Sequence, residues 1–164
     1  MDMEGHIPVN LDDLPIDTIQ MDESLVYKGE LTRITLSPKP SKNNMIYCAI
    51  GITVTEGDFE GKTATSNYLP IPVSVPENAT KKERIQILDN NQTFMRFVRS
   101  FGIGGKMPPV WVNEVGGVDT DALQTWNDWA STYKGHSCRG FTIRNQEFPE
   151  GSGRLRPNIV DFVL

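Results

Sequence analysis

Tyr47 is the side chain whose setting most clearly suggests a chemistry, and that chemistry is stacking. It lies in the stretch NMIYCAIGITV, where Ile46, Cys48, Ile50, Ile52 and Val54 alternate with Met45, Tyr47, Ala49, Gly51 and Thr53. A period of two over ten residues describes a strand with one buried and one open face. The open face then carries an aromatic among small residues instead of charges. A partner that lies flat on a sheet would want such a surface. Cys48 falls on the buried face, where an inert core thiol fits better than a disulfide or a metal ligand.

Groups that would support catalysis do not assemble. His136 and Cys138 are one residue apart, but no further Cys or His completes a tetrahedral zinc set. GIGGKM (102 to 107) lacks the GxxxxGK[ST] spacing of a phosphate loop, and Met107 stands where a Mg²⁺-binding hydroxyl would be needed. It reads as a helix stop followed by a turn. With two histidines, no nucleophilic triad forms. Clustered carboxylates occur only near the N-terminus, where solvent would keep them untuned for acid–base work. The expectation is a protein that is not an enzyme and needs no cofactor or metal.

The net charge of −5 conceals an asymmetry. Asp2, Glu4, Asp12, Asp13, Asp17, Asp22 and Glu23 come before any Lys or Arg; without these seven the chain holds 16 basic and 14 acidic residues, or +2. An acidic arm on a mildly basic body is the reading. Such an arm is either a solvated leader, with Pro8 and Pro15 opposing regular structure, or a segment that docks on partners or competes with an anion for the body. Ile7, Val9, Leu11, Leu14, Ile16 and Ile19 provide apolar anchors that a purely solvated tail would not need. Residues 1–24 are therefore set apart as an acidic, partly disordered arm, and 25–164 as one folded domain. At 164 residues a single core is expected. No apolar run reaches the roughly 18 residues of a membrane span, and no leader opens the chain, so a soluble, intracellular protein is expected. Two cysteines are too few for a disulfide framework.

Around the Tyr47 strand the remaining elements fall into order. A first strand is expected over about 25–36 (LVYKGELTRITL), with Gly29 as a bulge or bend. Its buried face is ambiguous, since Leu31 lies on one side and Ile34 and Leu36 on the other. Strands over about 45–55 and 62–70 flank EGDFEGK, where Gly57 and Gly61 bracket a hairpin turn. Thr80 and Glu83 make a capping box, opening a helix that buries Ile87, Phe94, Phe97, Val98 and Phe101 and stops at Gly102. Asn90 and Asn91 interrupt that face and mark a candidate break. A second helix runs over about 121–134, capped by Asp119 and stopped by Gly135. It places Ala122, Leu123, Trp126, Trp129, Ala130 and Tyr133 on one stripe, so its tryptophans read as packing residues. Strands over about 138–147 and 155–164 close the chain. Three strands, helices, then two strands is the order of a five-stranded OB-like barrel, mainly β with inserted helices: β1-β2-β3-α(α)-β4-β5.

GELTRITL, the NMIYCAIGITVTEGDFEGKTATSNYLPI hairpin, NNQTFMRFVRSFGIGG and YKGHSCRGFTIRNQEF together resemble phage-encoded single-stranded-DNA-binding proteins with an OB fold. The resemblance spans roughly residues 25 to 164. It implies sequence-tolerant binding of single-stranded DNA in phage replication or recombination, in the cytoplasm of an infected bacterial host. It also leaves room for homo-oligomers. Many bacterial single-strand binders end in an acidic recruiting tip, whereas this chain ends in the apolar NIVDFVL, so the acidic N-terminal arm takes that role for replication or recombination proteins. Sequence-tolerant binding needs cations for phosphates and aromatic faces for bases. The residues that fit are Lys28, Arg33, Lys39, Lys42, Lys62, Arg139 and Arg144, with Arg154 and Arg156 as further cations of the same strands and loops. Tyr47 is the first choice for stacking, followed by Tyr68 and Trp111. The rival class is a non-enzymatic protein-interaction or virion structural β-barrel module, to which the weak positive charge of the body would suit.

Overall fold

A computed structural model describes residues 8–13, 20–41 and 45–164. The protein is mainly β, with one five-stranded sheet and two α-helices. β1 (Gly29–Leu36), β2 (Tyr47–Val54) and β3 (Thr63–Pro70) precede α1 (Lys81–Ser100) and α2 (Thr120–Ser131), and β4 (Phe141–Glu147) and β5 (Leu155–Phe162) follow. The ladder order is β1-β2-β3-β5-β4. Only β3 and β5 run parallel, and they share a single bridge, Thr65 to Asn158.

The ladder is open between β1 and β4, yet their neighbourhoods are stitched together. Antiparallel bridges join Tyr27 to Phe141 and Glu30 to Ser137. Tyr27 and Phe141 exchange backbone hydrogen bonds of 2.8 and 2.9 Å, and Leu31 N–H donates to the His136 carbonyl at 2.9 Å. β1 begins at Gly29, where its pairing with β2 starts opposite Val54, and not near Leu25. Packing nevertheless reaches further back, into the stretch assigned to the arm: Met21 is buried in the core, and Asn145 Nδ2 donates to its carbonyl at 2.8 Å.

The ambiguous face of β1 has a structural cause. Its register against β2 shifts between Leu31 and Arg33, so Leu31, Ile34 and Leu36 all turn inward while Thr32 and Arg33 both turn out. The bulge is therefore not at Gly29. That glycine serves close approach instead, because a Cβ there would stand 2.6 Å from the Thr53 carbonyl oxygen and 2.7 Å from Ile52 Cγ2. Gly29→Ala is expected to cost about 1–3 kcal/mol through overpacking, read as a lower urea midpoint with an unchanged slope. A midpoint equal to that of the parent protein would show that β1 and β2 can separate there without loss.

The buried face of β2 is as the alternation predicts, with Cys48, Ile50, Ile52 and Val54 essentially inaccessible. Burial pushes the Cys48 thiol up to about 12, as befits an unreactive core group. α1 is one continuous helix, with no break at Asn90–Asn91. Asn91 is used elsewhere: its side chain accepts from Val73 N–H at 3.0 Å and donates to the Val73 carbonyl at 2.8 Å, clamping the chain beyond β3. Thr80 caps the helix by accepting from Glu83 N–H. At the other end Gly102 takes a φ of +68°, Gly102 N–H donates to Arg99, and Ile103 N–H donates to Val98. These are the two bonds of a Schellman stop. Phe94, Phe97 and Phe101 fill the gap between β3 and β5, with Phe97 and Phe101 meeting Phe162. Arg96 pairs with Asp161 at 2.7 Å; burial raises that carboxyl, but the bonds from Arg96 and from Phe162 N–H outweigh it and hold the group below its usual range. α2 packs on β1, where Asn127 accepts from Leu36 N–H at 2.8 Å.

No helix among the described residues is long and apolar enough to cross a membrane.

Candidate nucleic-acid interface

Strand register determines what meets on the sheet's outer face. Arg33 pairs with Gly51, Gly51 with Thr65, Thr65 with Asn158, and Asn158 with Arg144. Each lies next to a buried residue of its own strand: Ile34, Ile50 and Ile52, Ala64, Ile159 and Ile143. The four side chains therefore point outward, since successive side chains alternate, and Gly51 lies on the same face, covered by its neighbours. The result is a row across every strand, small or neutral in the middle and closed by an arginine at each end. Gly51 keeps the middle flat: a Cβ there would meet Arg33 Cβ at 3.2 Å and Thr63 Cγ2 at 3.6 Å. A chain of hydroxyls runs alongside, Thr32 to Thr53 at 3.1 Å and Thr53 to Thr63 at 2.9 Å.

The aromatic pair stands next to this row. β3 carries a bulge where Cys48 faces Leu69 but Ile50 faces Ser66, so Asn67 and Tyr68 both lie opposite Ala49. Tyr68 is 78% exposed, and its ring meets Tyr47 edge-to-face, 6.0 Å between centroids and 88° between planes. Most of the Tyr68 ring remains open to solvent beside Tyr47. A cleft of about 390 Å³ opens here, lined by Arg33, Thr35, Pro38, Ala49, Asn67 and Tyr68. Lys39 follows the lining residue Pro38 in the chain, and the Pro38 carbonyl accepts from Val118 N–H at 2.9 Å, tying this loop to the one that carries exposed Trp111.

Other predicted residues stand apart. Lys28 lines a separate recess with Glu56 and Asp58. Lys62 sits at the same β2–β3 turn, where its carbonyl accepts from Val54 N–H. Arg139 is at the C-terminal end of α1, its N–H bonded to the Ser100 carbonyl. These three are exposed, but they do not join the row. Lys42 lies outside the described residues. Neither Arg33 nor Arg144 has an ion-pair partner among the described residues, so both remain available to an anion.

One aromatic was missed. Phe148, in the β4–β5 turn, is exposed, and the Arg156 guanidinium lies 4.4 Å from its ring centroid. Both line a recess with Thr65, Asn67 and Asn158 that adjoins the row. Asn67 borders both clefts. The available signal was an aromatic in an otherwise polar turn, FPEGSGR. Among the described residues no group of three or more His, Cys, Asp or Glu side chains is placed to hold a metal ion.

No protein-family model matches this chain, and no curated protein matches it either.

Proposed function

We propose that the protein binds single-stranded DNA along the outer face of its sheet, with little sequence preference. The observation that carries this reading is the register-aligned row from Arg33 to Arg144, with the Tyr47–Tyr68 pair beside it. Cations at the ends, a flat centre and an aromatic face with free π surface are what a backbone with unstacked bases requires. A duplex offers no such bases, so the same surface favours single strands. The strand order and the seam from Tyr27 to Leu31 against Gly135 to Phe141 support an OB-like barrel, a fold that presents this face to oligonucleotides. A role in phage replication or recombination, in the host cytoplasm, follows from the resemblance of the same segments to phage single-strand binders.

Arg33, Arg144, Arg156 and Lys39 would contact roughly four phosphates, which corresponds to a log–log salt slope near −2.8 and about fiftyfold weaker binding between 50 and 200 mM salt. Fluorescence anisotropy of labelled oligo(dT), with unlabelled duplex of equal length as competitor, measures both quantities. Binding at low salt that duplex fails to displace is expected. No binding at low salt would leave the surface to a protein partner.

A further inference from the structure

α1 carries a second stripe that the fold does not use. Lys81, Ile85, Leu88, Gln92, Met95 and Arg99 follow one another at alternating spacings of four and three. That spacing puts them in one row along the helix. All six are exposed, on the side away from Phe94, Phe97 and Phe101. The row is a seam for a partner segment: apolar in its middle and basic at both ends.

The charges at its ends argue against pairing with the same helix of another copy. A parallel pair would set Lys81 against Lys81, and an antiparallel pair would set it against Arg99; like charges at such positions repel. The seam asks for an acidic segment with apolar side chains. This chain has one: residues 1–23 carry seven carboxylates and no Lys or Arg. In its described part Val9 is 67% and Leu11 79% exposed, and Asp12 is exposed too. Among the described residues, Val9 and Leu11 and the apolar side chains of the seam all lie open to solvent.

We infer that the N-terminal segment of one copy docks on the α1 seam of a second copy, Val9 and Leu11 against Ile85 and Leu88, with its carboxylates towards Lys81, Arg84 and Arg99. Reciprocal exchange gives a two-fold dimer held by two equal contacts. The contact is independent of the DNA-binding face.

Equilibrium sedimentation of the full-length chain tests this. The parent protein is expected to self-associate, less so as salt rises and screens the contact. Val9→Ser/Leu11→Ser and Ile85→Gln/Leu88→Gln should each weaken association about tenfold or more. All four positions are exposed, so far-UV circular dichroism should be unchanged. The decisive arm mixes the two double variants, each of which keeps one intact half of the contact. Renewed dimers on mixing are expected. A mixture no more associated than its components, or a parent protein monomeric at every concentration, would overturn the inference. So would association that survives Ile85→Gln/Leu88→Gln.

Discussion

Replacing Tyr47 and Tyr68 together by alanine is expected to weaken oligo(dT) binding by about 2–4 kcal/mol, roughly 30- to 1000-fold. Each aromatic–base stack contributes about 1–3 kcal/mol, and the two losses should not add fully, because the rings touch. The thermal midpoint should change little. Tyr68 is mostly exposed, and Tyr47 is only half-buried beside it. Anisotropy titrations beside thermal melts separate the two effects. A large loss of stability with affinity intact would make the pair a packing element and move the interface elsewhere.

The second large effect concerns stability. Phe97 is fully buried, with ring centroids 5.6 Å from Phe94, 5.2 Å from Phe101 and 5.6 Å from Phe162. It joins α1 to β5 where β3 and β5 share one bridge, so little backbone pairing would compensate its loss. Phe97→Ala should destabilise the protein by about 3–5 kcal/mol, from lost transfer energy and the cavity left behind. That corresponds to a fall in the thermal midpoint on the order of 10 °C. Below the new midpoint the variant should still bind oligo(dT), since the residue is remote from the outer face. A cost below about 1 kcal/mol would mean the gap collapses easily, contrary to the tight ring cluster.

Much of this architecture was legible because the local signals agreed. β2 alternates cleanly up to a glycine-bracketed turn, and both helices carry a cap and an apolar stripe. Bulges were not legible. Leu31 and Ile34 conflict under strict alternation, and only the register shift at Thr32 reconciles them. The same kind of shift turns both Asn67 and Tyr68 outward. Cations were the weakest guide to the site. Lys28, Lys62 and Arg139 look like Arg33 and Arg144 in the sequence, but which strand end a residue occupies depends on pairing between distant segments. Phe148 escaped notice for a related reason: its value comes from Arg156, eight residues away across a hairpin. The packed start of the chain at Met21 was hidden because one methionine among acidic residues has no periodicity to read.

The most direct test of the outer-face interface is a backbone amide chemical-shift titration with oligo(dT), practical for a chain of 18.4 kDa. The largest shifts are predicted at Arg33, Ala49, Gly51, Thr65, Tyr68 and Asn158, with Phe148 and Arg156 following and the exposed side of α1 silent. Shifts concentrated on α1, or none at saturating oligo(dT), would contradict the account.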